Sequence, residues 1–163
     1  MSNGTSERND PVYLDDLAPG RRFTTHSYAL QETELKSFAA QFDPQPFHMN
    51  AEAARNSVFG GLVASGWHTA AITMRLLVTS GLPIAGGMVG LGGEISWPQA
   101  TRAGDVLHVE SEALAVTPSR RQDRGVVTMR SRTCNARGEA VQIFTAKLLV
   151  PRRPPTGAGS CAS

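Results

Sequence analysis

The chain has 163 residues, 40% apolar and 18% charged, which suits one domain with a single core and excludes both two full-sized domains and a disordered chain. Sixteen basic against fourteen acidic residues leave a formal charge of +2, so a polybasic nucleic-acid binder is excluded. Cys134 and Cys161 are too few for a disulfide scaffold, and no apolar run is long enough to span a bilayer. The polar start, MSNGTSERNDP, has no apolar segment of the secretory kind. A soluble cytoplasmic protein is expected.

Both ends read as flexible tails, residues 1–11 because they are polar and residues 151–163 because they are rich in Pro, Gly and Ser. The folded unit is expected over residues 12–150. Arg22 to Leu30 reads as a first strand, without Gly or Pro. Leu35, Phe38, Ala39 and Phe42 then recur at helical spacing. Asp43-Pro44 ends that helix, because a residue preceding proline is pushed out of the α region, and Pro46 repeats the constraint on Gln45. DPQPFH therefore reads as a stiff, non-helical loop, after which Asn50 caps a short Ala-rich turn.

Gly66 opens the next helix and Gly81-Leu82-Pro83 closes it. Trp67, Ala70, Ala71, Met74, Leu77 and Val78 make an apolar face expected to be covered, with Trp67 and Met74 reading as core. Four strands follow. Met88–Trp97 carries Gly90 and Gly92 on one face, where a close approach is expected. Val106–Val116 turns Leu107, Val109, Ala113 and Ala115 one way. Val126–Asn135 and Ala140–Val150 form a hairpin across Ala136-Arg137-Gly138, with Phe144, Ala146 and Leu148 inside. The order predicts an α+β fold, an antiparallel sheet wrapped around one apolar helix.

Asp43 and His48 are a carboxylate and an imidazole close in sequence beside an apolar, Gly-flanked region. Together they can hold one water, taking a proton from it and returning one to a substrate. Phe42, Phe47 and the proline rings are expected to raise the pKa of Asp43 toward that of a useful base. A fully extended five-residue span would part the two by roughly 16 Å, so a shared water requires the loop to fold back. Gly66 adds a helix N-terminus with an unpaired amide that a carbonyl can approach. Each feature alone also fits a structural role: a helix-ending Asp, a partly buried His, a tight turn.

FDPQPFHMN followed by FGGLVASGWHT resembles the MaoC-like dehydratases, which include the (R)-specific enoyl-CoA hydratases. WPQATRAGDVL and SRRQDRG are similar to further family segments, and the resemblance covers nearly all of residues 12–150. It implies a hotdog fold, a homodimer or larger assembly of dimers, and reversible addition of water to a trans-2-enoyl-CoA thioester. By the same resemblance Asp43 and His48 activate the water and Gly66 N–H holds the thioester oxygen. Gln45, Ser65, Trp67, Arg120 and Arg124 are the expected substrate contacts, the arginines for the CoA phosphates. Gln45 stands where the family usually has Asn, and Ser65 where many enoyl-CoA hydratases have His, which leaves acyl length and branching open.

No cofactor is implied beyond the CoA of the substrate. His26, His68 and His108 lack metal-binding spacing, and His68 reads as a helix-surface or interface residue. Six arginines within Ser119–Arg137 also fit a solvated strand face, and without an aromatic residue they make no nucleic-acid surface. A hotdog thioesterase is the alternative enzyme, disfavoured by the lack of any acidic residue between Glu52 and Glu94. A non-catalytic acyl-CoA-binding or scaffold hotdog protein is the third reading.

Overall fold

The computed structural model describes residues 10–156; most of both expected tails, with Cys161, lies outside them. Six strands make one antiparallel sheet in the order β1-β4-β5-β6-β3, with β2 also on β4. The strands are β1 (Arg22–Thr24), β2 (Tyr28–Ala29), β3 (Val89–Ser96), β4 (Val106–Pro118), β5 (Arg124–Cys134) and β6 (Ala140–Pro151). The helices are α1 (Glu32–Phe42), α2 (Pro46–Met49), α3 (Ala51–Arg55) and α4 (Gly66–Leu76), the last running into a π turn at Leu77–Gly81. The sheet closes on α4 in the hotdog arrangement.

The first strand differs from the expected Arg22–Leu30. It breaks at Thr25, whose backbone N–H bonds the Val109 carbonyl while its side chain accepts from the Val109 N–H. The hydroxyl substitutes for a ladder partner, and the chain leaves β4 for three residues before β2 resumes.

The expected inner row of β4 holds through Ala113 and fails at Ala115, which is exposed. The register with β5 shifts between Ala113 and Ala115. Such a bulge inserts one unpaired residue and inverts the alternation beyond it. The close approach expected at Gly90 and Gly92 belongs instead to Gly93, where a Cβ would collide with the Thr145 carbonyl; Gly92 serves a β3 bulge with φ +126°.

On α4 the expected core face is the outer one. Trp67 is 60% exposed, Met74 43% and Val78 60%. The buried stripe is His68, Thr69, Ile72, Thr73 and Leu76, packed under Leu107, Val109, Met129 and Val141. Its threonines are admitted because each has a partner: Thr69 reaches Thr101, and Thr73 reaches Thr133 and Gln142. The chain is also fixed beyond Val150. Pro151 pairs with Arg124. Arg153 bonds Asp15 and Asp16 and lies 4.6 Å over the Tyr13 ring, so residues 151–153 belong to the ordered fold.

Candidate active site

Asp43 ends α1. Its N–H makes the last helical bond, to Ala39, and Pro44 forbids another turn. The chain reverses through a Gln45 N–H bond to the Asp43 carbonyl. The stretch is not the non-helical loop expected from its prolines: Pro46 starts the single turn α2. Proline fits a first helical position, where its missing N–H would have been unpaired anyway and its φ is already helical. That turn carries His48 back, so its Nε2 lies 3.3 Å from Asp43 Oδ2.

His48 is 5% exposed, with Nδ1 2.8 Å from the Val63 carbonyl. A carbonyl only accepts, so Nδ1 carries the proton. In the neutral ring Nε2 is then an acceptor facing an acceptor oxygen of Asp43. The ring nitrogen thus keeps a lone pair for a donor in the cavity, with the carboxylate oxygen 3.3 Å away. The tautomer follows from Val63 alone.

Asp43 corrects the expectation about its titration. Phe42 is 69% exposed and gives the carboxyl no apolar cover. Ser65 Oγ donates to Asp43 Oδ2 at 2.6 Å, and Gln45 Nε2 donates to Oδ1 at 2.7 Å. These two bonds, Ser65 foremost, hold the carboxyl below its ordinary range and outweigh the opposing effect of burial. Asp43 is thus an anion at neutral pH, and His48 Nε2 offers the cavity its free lone pair.

Ser65 is fully buried and spends its hydroxyl on Asp43, while the same oxygen accepts from Trp67 N–H as the cap of α4. Expected as a substrate contact, it instead connects the carboxylate to the helix. Gln45 both lines the cavity and bonds Asp43. Gly66, the first residue of α4, has no protein acceptor for its N–H among the described hydrogen bonds.

Asp43, Gln45, His48, Gly66 and Trp67 share one cavity of about 410 Å³, completed by Phe47, Phe59, Thr69, Trp97, Gln99 and Thr101 among others. Trp97, Thr69 and Thr101 were absent from the sequence-based site. Only the WPQ turn signalled Trp97, and nothing local signals a threonine facing inward from a helix. Arg120 and Arg124 do not line this cavity; Arg124 forks onto Asp123. Arg130 and Arg132 of that segment pair across strands, with Glu112 and Glu110, and Arg137 pairs with Glu139. His68 is buried, not on the surface. Its ring stacks on Phe38 at 4.5 Å, and burial lowers its pKa.

The model of the MaoC like domain family matches residues 16–134. The chain belongs to the MaoC-like family. It is 60% identical to a MaoC-like dehydratase from Rhodospirillum rubrum of known crystal structure, with a TM-score of 0.87 over 88% of this chain and 99% of that one. The unliganded R-hydratase PhaJ1 from Pseudomonas aeruginosa is 26% identical, with a TM-score of 0.72 over 91% of this chain and 97% of that one. The uncharacterized protein YdeM of Bacillus subtilis (strain 168) is 30% identical over 84% of this chain and 96% of its own length. The two solved structures share this chain's hotdog fold.

Two outcomes follow from this geometry. The Asp43 carboxyl should titrate below its ordinary value of about 3.9 and move up in Ser65→Ala, read by carbon NMR of labelled aspartate. Because the folded-state value is the lower one, the stabilisation is complete at neutral pH and is lost as acid titrates the folded carboxyl. The stability gap between wild type and Ser65→Ala should therefore narrow in acid, as urea unfolding would show. Second, a Cβ at Gly66 would lie 2.7 Å from the Trp97 ring. Gly66→Ala should cost about 1–3 kcal/mol by the same measurement, and adding Trp97→Leu should recover most of it.

Proposed function

We propose that this MaoC-like protein is a hydro-lyase that adds water reversibly across a trans-2-enoyl-CoA thioester to give the 3-hydroxyacyl thioester. The observation that carries the reading is the approach of His48 Nε2 to the ionised Asp43, in the same cavity as the unpaired Gly66 amide. The water donates a hydrogen to Nε2, and Asp43 Oδ2, 3.3 Å from that nitrogen, is placed to pair with the ring once it is protonated. As the water oxygen bonds C3, Nε2 takes that proton, and the C2–C3 π electrons shift through C2 and C1 onto the thioester oxygen. The Gly66 N–H and the N-terminal end of α4 stabilise that enolate oxygen. The protonated His48, paired with Asp43, returns the proton to C2 and restores the carbonyl. One base serves both steps, so OH and H arrive on one face. No cofactor is needed beyond the CoA of the substrate.

Asp43→Asn and His48→Gln should each lower the hydration rate of crotonyl-CoA at least about 100-fold, the lower range for general acid–base groups. Hydration is followed by loss of enoyl absorbance and thioester cleavage by free thiol. Turnover near wild type in either variant refutes the assignment, and thiol release without hydration replaces it with thioesterase chemistry.

We also propose that the working form is a homodimer or an assembly of dimers. Trp67, Met74 and Val78 form one exposed apolar stripe on α4, while β3, at the end of the sheet, exposes Val89 and Leu91 and leaves one edge unpaired. An exposed apolar face beside a free edge is a place for a partner. Light scattering at assay concentration should give a multiple of the 17.4 kDa chain mass, and Val78→Asp should shift it toward the monomer. A wild-type mass of one chain refutes the proposal.

A further inference from the structure

We propose that Trp97 sets acyl selectivity at this site, standing where a substituent on C2 of the substrate would lie, so that the preferred substrate is a 2-enoyl thioester unbranched at C2. The inference rests on the hydratase reading above. Trp97 follows the last residue of β3, and its indole lies against Gly66. Three of its ring atoms are 2.7–2.9 Å from where a Gly66 Cβ would stand. The Gly66 N–H is one bond from that Cα. An acyl oxygen accepting from it sits about 2.9 Å from the nitrogen, which lays the carbonyl carbon and its neighbour C2 beside the indole.

The wall is fixed. Trp97 Nε1 donates to Gln142 Oε1 at 2.9 Å, and Gln142 is 1% exposed in the core. Gln142 Nε2 donates to Thr73 Oγ1 at 3.1 Å. Thr73 spends its one hydroxyl proton on the Thr69 carbonyl at 2.8 Å, so the Thr133 hydroxyl 2.6 Å away must donate to it. Trp67 packs edge-on against the indole, with centroids 5.5 Å apart. If the indole swings away, the Gln142 oxygen is left buried and unpaired, which is costly. With its N–H already used, Trp97 turns only hydrocarbon to the cavity. It therefore offers a C2 substituent no polar contact and little room.

The test compares kcat/KM for crotonyl-CoA and 2-methylcrotonyl-CoA in wild type, Trp97→Ala, Trp97→Leu and Gln142→Met. A ratio taken within one protein does not depend on how much of it is folded, and the two Trp97 variants guard against one of them failing to fold. Wild type should favour crotonyl-CoA. Either Trp97 variant should raise the branched-to-linear ratio at least about tenfold, the lower range for one methylene in an apolar pocket. Gln142→Met, which frees the indole without removing it, should shift the ratio less in the same direction. A ratio unchanged or lowered in the Trp97 variants, or a wild type indifferent to the methyl group, overturns the proposal while crotonyl-CoA hydration stands. If wild type hydrates neither thioester, the hydratase reading fails and this proposal falls with it.

Discussion

The hydroxyl of Ser65 meets Asp43 Oδ2 at 2.6 Å and caps α4 through the Trp67 amide with the same oxygen. A hydrogen bond to a carboxylate is worth about 1.5–3 kcal/mol, and this one joins the end of α1 to the start of α4. It does three things at once. It keeps Asp43 ionised, it ties the carboxylate to the N-terminus of α4, and it holds Oδ2 3.3 Å from His48 Nε2. With that oxygen placed and Nδ1 of His48 tied to Val63, both acceptors face one space. The cavity chemistry depends on this joint more than on any single loop conformation.

The buried face of α4 shows how the rest of the fold serves that joint. A helix lying against a sheet is ordinarily apolar where it is covered, yet here His68, Thr69 and Thr73 point inward. The two threonines pass hydrogen bonds to Thr101, Thr133 and Gln142. The polar chain ends at Trp97, beside Gly66. Such a network holds a cavity wall in one position because every departure strands a buried donor or acceptor. On the other side, His68 stacks on Phe38, between α1 and α4. Helix, sheet and the Asp43–His48 loop are thereby held in one geometry.

The elements legible in the sequence are those whose signal is local. The alternation of β4 up to its bulge at Ala113, that of β5 and β6, the spacing of α1, and the Asn50 and Gly66 helix starts all survive with small shifts at their ends. So does the convergence of Asp43 and His48, demanded by the chemistry although an extended loop would have kept them apart. What was not legible depends on partners distant in the chain. The inward face of α4 was misjudged because Thr69 and Thr73 count as polar until Thr101, Thr133 and Gln142 are brought to them. Asp43 was expected to be a raised-pKa base because Phe42 and Phe47 are its neighbours in sequence, but Ser65, 22 residues on, decides its charge. Pro46 argues against helix only in a helix interior; proline is not excluded from a first turn, which is where it stands here.

The Arg153 clasp has a consequence for chain topology. Asp10, Tyr13, Asp16 and Arg153 line one surface groove, and none of them lines the Asp43–His48 cavity. The two ends of the described fold are therefore neighbours on a patch of their own. A short peptide could join them, with new termini opened in the Ala136–Gly138 turn between β5 and β6, without cutting a strand. Chain connectivity at this patch is in that sense separable from the architecture, since residues 10 and 153 meet on one side of the described fold.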